Sequence, residues 1–324
     1  MKMKGVVQIL LIPLSWIYSA VVRLRNFLYD HNILKSRESS LPSICVGNIA
    51  VGGTGKTPHS EHILRTVEGR KAYVSRGYRR KSRGMVVADE HSTAEDLGDE
   101  AYQIHRKFPD VTVVVDANRH RAVDYLKSRG DVDIVVLDDA FQHRDIRATH
   151  YIIITDFATN LKTERMLPAG RLRDERRSLR RADCIVVSKT PEDVTESEME
   201  QKRREVLQGE LDVKVVFTRI VYGEAYNAVS LQPVDLKARR LCLFTGIEKP
   251  EPLQRYLAGL TSDLKCLRFA DHHEFTATDY QRILAAECDL FVTTEKDFAR
   301  IPAEKLQLFA GRLAIVPIKI SRIS

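Results

Sequence analysis

The sequence has no paired cysteines. Its five, Cys45, Cys184, Cys242, Cys266 and Cys288, stand singly, with no CxxC pair and no histidine at metal-ligand spacing. That pattern excludes a disulfide framework or a structural zinc module and suits buried thiols in a reducing compartment. Internal repeats and low-complexity tracts are also missing, so the chain is neither a solenoid nor a linker. Acidic excess is absent: 44 Asp+Glu face 51 Lys+Arg, a net charge of +7, which favours an anionic partner such as nucleic acid, anionic lipid or a phosphorylated substrate. A composition of 44% hydrophobic and 29% charged residues over 324 residues excludes a disordered or fibrous protein. It leaves one large or two medium domains.

Residues 6–22 form an almost uncharged run, flanked by Lys2 and Lys4 on one side and Arg23 and Arg25 on the other. A secretory signal would place a small residue where Tyr18 precedes the bond after Ala20, which argues against cleavage. The run is slightly short for a membrane span and carries Pro13. A helix lying in the interface, with Trp16, Tyr18 and Tyr29 near headgroup depth, fits at least as well, and a buried core helix is the competing reading.

After a polar linker, His31 to Ser40, apolar strand-like runs alternate with helix-length segments: LPSICVGNI, KAYVSRG, VTVVVDA, DIVVLDDA, HYIIITD and CIVVSK. This alternation predicts βαβ units in a doubly wound, mostly parallel sheet. Residues 191–211 are charged and expected to be helical. A later set, KARRLCLFTGI, LKCLRFA, LFVTTEKD and LAIVPIKI, predicts a second, smaller α/β unit, with KVVFTRIVY and LAIVPIKI as paired connectors. The expected organisation is an N-terminal membrane-associated helix and linker (1–35), a P-loop domain (36–220) and a smaller C-terminal α/β lobe (221–324).

The strongest local signal is Ala50-Val51-Gly52-Gly53-Thr54-Gly55-Lys56-Thr57, between a strand-like Ile44 to Val46 and a helical segment. In a P-loop the glycines turn backbone N–H groups toward phosphates, the lysine adds positive charge and the Thr57 hydroxyl binds Mg²⁺. Ala50 stands where the GxxxxGK[ST] pattern has glycine, while the lysine and the metal-ligating hydroxyl are retained. The partner carboxylate is expected at the end of another buried strand, and Ile134-Val135-Val136-Leu137-Asp138-Asp139 supplies it, at the edge where open α/β sheets bind ligands. Ser188-Lys189-Thr190-Pro191 has proline where a guanine-reading aspartate belongs, so ATP is the expected nucleotide. A metal-centre assembly ATPase is disfavoured by the lack of cysteine or histidine clusters.

Together, Val46-Gly47-Asn48-Ile49 with GGTGKTP, Ser75-Arg76-Gly77-Tyr78, Gly98-Asp99-Glu100, Leu137 to His143, Leu167-Pro168-Ala169-Gly170 and Asp271-His272 resemble the tetraacyldisaccharide (lipid A) 4'-kinase family. The blocks run in family order over nearly the whole chain. Ala140 stands where the family usually has glycine, and Arg173-Asp174 where it has Arg-Glu.

The resemblance implies transfer of the γ-phosphoryl group of ATP, with Mg²⁺, to the 4'-hydroxyl of an acylated glucosamine disaccharide 1-phosphate at the cytoplasmic face of the bacterial inner membrane, the enzyme being peripheral or N-terminally anchored. It further implies an anionic membrane surface as partner, no nucleic acid and no obligate protein partner. Asp99 would be the base, assisted by His272. Lys56 would neutralise phosphate, Thr57 with Asp138 or Asp139 would hold the metal, and Arg76, Glu100, Gln142 and Arg173 would contact phosphate or support the site. The Arg-rich segments Arg76 to Arg83 and Arg165 to Arg181 would meet headgroups or the substrate phosphate, or form solvated, salt-bridged faces. Thr294-Glu295-Lys296-Asp297 is equally readable as a phosphate-reaching lysine or a salt-bridged loop. A soluble-sugar P-loop kinase and a nucleotide-switched membrane module are the alternatives.

Overall fold

The computed structural model describes residues 5–207 and 212–323. Lys2, Lys4 and residues 208–211 of the charged stretch lie outside the described residues. The short runs of Val and Ile pair into a nine-stranded sheet in the order Ile318–Arg322, Lys214–Tyr222, Cys184–Ser188, His150–Asp156, Ser43–Gly47, Ile134–Asp138, Lys71–Ser75, Thr112–Val115, Val86–Val87. The inner strands are parallel and the two edge strands antiparallel. Alternating side chains feed two apolar layers. Cys45, Val74, Leu137 and Val187 pack in one, Val46, Tyr73, Val136 and Val186 in the other. Burial on both faces is why these strands read as continuous apolar runs rather than alternating ones.

From Ser43–Gly47 the chain first builds toward Lys71–Ser75 and Thr112–Val115, returns to insert Ile134–Asp138, and then crosses to His150–Asp156 on the other side. This reversal opens a crevice at the carboxyl ends of the central strands. The register sets Val46 beside Asp138, so the glycine loop and the paired carboxylates emerge side by side.

A second sheet holds five strands in the order Tyr226–Asn227, Leu313–Val316, Leu290–Thr294, Leu241–Thr245, Leu264–Arg268, parallel except at the first pair. Its own apolar clusters include Phe244, Phe291 and Phe309 on one face and Leu243, Val292 and Val316 on the other. Residue 220 lies within Lys214–Tyr222, which pairs through its first half with Cys184–Ser188 and through its second half with Ile318–Arg322. The run LAIVPIKI, expected as one strand, is split at Pro317: its first half belongs to the small sheet and its second to the large one. Proline cannot donate to a ladder, so the change of sheet falls at that residue.

The apolar N-terminal run forms two helices, Gly5–Leu10 and Ile12–Asp30. Pro13, in the first turn of the second, has no N–H to continue the first. Ser15, Val22 and Asn26 are buried, a stripe of one helical face. Polar groups tie the helices down: Ser15 Oγ accepts from the Ala169 N–H at 2.9 Å, the Gln8 amide donates to the Ala169 carbonyl at 2.9 Å, and Asn26 donates to Asp174 Oδ1 at 2.9 Å. Ile9, Leu10, Leu14, Trp16, Ile17, Val21 and Leu24 are exposed. The buried-core-helix reading therefore fails, because the buried stripe is mostly polar and the apolar residues face outward. Among the described residues no helix is long and apolar enough to cross a membrane. The charged stretch at 191–211 forms a helix over Glu196–Leu207; Thr195 opens it by trading hydrogen bonds with Glu198, later than the start of the expected range.

Candidate active site

Strand Ser43–Gly47 is buried throughout and delivers the chain into the loop 48–55, which ends in helix Lys56–Thr66. Gly52 and Gly55 take φ of +106° and +94°, conformations that side chains rarely adopt. A Cβ on Gly52 would also lie 2.5 Å from Arg171 Nη2. The loop is braced from outside. Arg171 donates to the Val51 carbonyl at 3.1 and 3.0 Å, Ser188 Oγ donates to the Thr54 carbonyl at 2.6 Å, and Lys189 Nζ donates to the Gly53 carbonyl. Asn48 donates to Thr54 Oγ1 at 2.9 Å. His59, one turn into the helix, bridges the Gly55 carbonyl and Thr218 Oγ1, and burial pushes its pKa down to about 4. Side chains thus hold the Val51, Gly53 and Thr54 carbonyls, and the Arg171 and Gly52 carbonyls hold the Val51 and Thr54 N–H groups, which leaves Gly53 and the first turn of the helix to present N–H groups to an anion. The Gly53 N–H points at Glu248 Oε2 of the small sheet's side, 3.4 Å away.

Strand Ile134–Asp138 places two carboxylates with different environments beside this loop. Asp139, at φ +50°, is gripped by Arg173 through two contacts, one of them Nη1 to Oδ2 at 2.9 Å, and lies 3.6 Å from Lys56 Nζ. Although burial opposes it, these cations hold its pKa down to about 2. Asp138 behaves in the opposite sense. Burial first, then the Asp139 charge, push it up to about 7 against the pull of Lys56, with Glu100 adding to the rise. Its Oδ1 is buried with no hydrogen bond inside ordinary distance, and the nearby Tyr73 hydroxyl, which favours the charged form, only partly counters the rise. Gln142 donates to the Asn48 carbonyl at 2.9 Å, and Arg173 also reaches Asn48, so both shape the entrance of the loop. Arg76 is exposed, and its charge reaches Arg119 and His143.

The second constellation joins the two sheets. Asp99 opens helix Asp99–Lys107 after Gly98, whose φ is +83°. His272 sits in a loop after strand Leu264–Arg268, at φ +60°, with its N–H donating to the Gly246 carbonyl at 3.1 Å. Its Nδ1 is 3.0 Å from Asp99 Oδ2, and its Nε2 is 3.1 Å from Lys296 Nζ. An ammonium can only donate, so Nε2 accepts from Lys296, while Nδ1 faces both the Asp99 carboxylate and the Arg300 guanidinium, whose donor-only Nη2 lies 3.0 Å away. Arg300 Nε donates to the same Asp99 oxygen at 2.8 Å. Against burial, the His272 hydrogen bond and the Arg300 charge keep the Asp99 carboxyl below its ordinary range.

Asp99 and His272, separated by 173 positions, are therefore brought into contact. Lys56, Thr57, Asp138 and Asp139 gather at the glycine loop, with Arg173 and Gln142 supporting it from behind. Sequence reading missed Arg300 altogether and left Lys296 open. The spacing of four between them, one helical turn, is the only local signal that both face one way. Arg171 was visible only as part of a basic run. Among the described residues no group of three or more His, Cys, Asp or Glu side chains could hold a metal by itself.

The profile of the Tetraacyldisaccharide-1-P 4'-kinase family matches residues 7–322. The tetraacyldisaccharide 4'-kinase of Flavobacterium johnsoniae is 40% identical over 321 residues, spanning 97% of this chain and 93% of the relative. That of Parabacteroides distasonis is 39% identical over 335 residues, spanning 96% and 89%. LpxK from Aquifex aeolicus, solved in complex with ATP, superimposes with a TM-score of 0.77 at 27% identity, covering 98% of this chain and 95% of the other. On these matches, which run from the apolar helices to the returning edge strand, the chain belongs to the tetraacyldisaccharide-1-P 4'-kinase family.

Proposed function

We propose that the protein transfers the γ-phosphoryl group of ATP to the 4'-hydroxyl of a tetraacyldisaccharide 1-phosphate, a step of lipid A biosynthesis. The observation that carries the reading is the Asp99–His272 contact at 3.0 Å, an acid–base pair assembled from two lobes within the same molecule as a glycine loop that keeps its lysine and hydroxyl. The lobes are the large sheet, completed by the returning strand Ile318–Arg322, and the small sheet built between Lys214–Tyr222 and that return.

Phosphoryl transfer passes through a loose transition state, so the protein's work is positioning and charge neutralisation. The N–H groups of Gly53, Gly55 and the first turn of the helix would cradle the phosphates, those of Val51 and Thr54 being held by the Arg171 and Gly52 carbonyls, and Lys56 would meet the charge that develops on them. Mg²⁺, when bound, supplies further neutralisation of the phosphate oxygens. The donor set fits it: Asp138 has a buried, unpartnered oxygen, whereas Asp139 is committed to Arg173. We therefore assign Asp138 with Thr57 to the metal, and Asp139 to holding Arg173 and Lys56 in place. Asp99 Oδ2 is engaged by His272 and Arg300, leaving Oδ1 to take the proton of the sugar hydroxyl. A carboxylate of low pKa suffices, because in a loose transition state that proton leaves late.

The exposed apolar face of the N-terminal helices supports attachment to the cytoplasmic surface of the inner membrane, where a fatty substrate resides. Beside it a groove of about 760 Å³ is lined by Ile12, Trp16, Met166 and Leu172 together with Arg165 and Arg177, and also by Glu164 and Glu175. That mixture suits an acyl chain beside a charged headgroup. The test is transfer of labelled γ-phosphate to an acylated disaccharide 1-phosphate in mixed micelles. Wild type should form product, Lys56→Ala should form none, and Asp99→Ala should lose about 10²–10⁴-fold in turnover with ATP affinity retained. No product from wild type that still binds ATP would overturn the reading.

A further inference from the structure

We infer that Glu61, Lys107 and Glu295 form a positioning node that sets the distance between the glycine loop and the Asp99–His272 pair. The inference rests on the assignment of that pair made above. Lys107 Nζ lies 2.6 Å from Glu61 Oε2 and 2.5 Å from Glu295 Oε1. Both carboxylates are nearly solvent-free, with side chains 1% and 7% exposed. Glu61 is further held by Gln103 at 2.8 Å and Arg65 at 3.3 Å. Two buried carboxylates around one ammonium are an expensive arrangement to desolvate, and burial of this kind is weak evidence of stabilisation. A geometric role explains it better.

The three residues lie on the three elements that carry the chemistry. Glu61 is on helix Lys56–Thr66, whose first residues are Lys56 and Thr57. Lys107 ends the helix that Asp99 begins, about 12 Å away along the axis at 1.5 Å per residue. Glu295 begins the short helix Glu295–Phe298, followed at once by Lys296, which touches His272, and soon after by Arg300, which touches Asp99.

Helix Asp99–Lys107 is therefore tied to the small lobe at both ends, and the signs of the ties are opposite. At its first residue it offers a carboxylate to Arg300 at 2.8 Å; at its last it offers an ammonium to Glu295 at 2.5 Å. Between them the Arg106 guanidinium lies 4.4 Å from the centre of the Phe298 ring. Reversing the small lobe along this helix would bring like charges together at both ends, and sliding it would break both ties. Such a pair of contacts selects one register, which is the best-attested use of buried ion pairs. Glu61 extends the lock to the nucleotide's helix, so that γ-phosphate and hydroxyl base are held in one frame. A misplacement of about 1 Å in such a frame can cost about 10²-fold in rate.

The experiment uses the full chain in the mixed-micelle assay, with Glu295→Gln, Lys107→Met, their double variant, Lys107→Arg, and Asp99→Ala as reference. Glu295→Gln keeps the shape of the side chain and guards against a Lys107→Met that does not fold. Expected is a fall in kcat of about tenfold or more in Glu295→Gln, with KM for ATP changed less than about twofold. Lys107→Arg should recover most of the loss, and the double variant should be no worse than the poorer single one, since all act through one node. Wild-type kcat in Glu295→Gln and Lys107→Met, alongside an inactive Asp99→Ala, would overturn the node alone. Parallel decline of kcat, ATP affinity and melting temperature would reduce it to a fold contact and overturn it as well. An Asp99→Ala protein with wild-type turnover would instead overturn the acid–base assignment on which the node depends.

Discussion

Asp138 is a buried carboxyl held near neutrality, at about 7, and this makes nucleotide-free protein sensitive to pH. An unfolded aspartate titrates near 3.9, so between about 4 and 7 the folded state binds a proton that the unfolded state has released. Stability then falls as pH rises through that window, and what the group contributes in its protonated form is lost above it. Asp138→Asn removes the titration. Its melting temperature should exceed that of wild type at pH 8, with the gap closing by pH 5, in thermal scans without nucleotide or divalent cation. Equal melting temperatures at pH 8 would mean that the carboxylate is compensated by a partner. Residues of this kind were legible in advance, since Lys56, Thr57 and the Asp138-Asp139 pair sit in local patterns that strand and loop physics constrain. Arg300 and Glu295 were not. Their partners lie far off in the chain, at Asp99 and Lys107, and no local pattern marks an arginine or glutamate that answers a distant helix.

At the scale of elements, alternating buried runs and helical segments predicted the parallel sheet because a strand covered on both faces must be apolar throughout. The break of LAIVPIKI was less visible, since Pro317 reads equally as a strand end or a bend until the partner strands are known. The N-terminal helices were ambiguous for a different reason: hydrophobicity does not say which face finds a partner. Here the buried stripe is mostly polar and Trp16 is 70% exposed. Trp16→Glu with Ile17→Glu should therefore lower liposome binding about tenfold or more, as expected for loss of apolar insertion, while leaving the melting temperature within a degree or two of wild type. Unchanged sedimentation with anionic vesicles would rule out this face as the membrane contact.

Over the whole molecule, the two sheets meet across the nucleotide loop, and the meeting has a cost for ATP. Glu248 accepts from the Gly53 N–H at 3.4 Å, placing a negative charge on the loop proposed to cradle phosphate. Glu248→Ala should tighten ATP binding a few-fold by calorimetry, and the gain should shrink with added salt, because the exposed carboxylate is screened. Weaker binding in that variant would mean that Glu248 serves the nucleotide rather than competing with it. Neither the contact nor its sign was legible from the sequence, which places Glu248 in an unremarkable loop almost two hundred residues from the glycines.

The chain leaves the large sheet along Lys214–Tyr222 and re-enters it as the neighbouring strand Ile318–Arg322. Every strand of the small sheet lies between these two in the chain. During synthesis the ribosome must deliver the complete small sheet before the large one can acquire its last edge, so Lys214–Tyr222 waits with half of its backbone donors and acceptors unpaired. An exposed edge of that kind is a template for pairing with another chain, and elongation at about 5–20 residues per second leaves it open for seconds. The nascent enzyme is thus most vulnerable to mispairing late in its own translation, when nearly all of its chemistry is already encoded in the emerged chain.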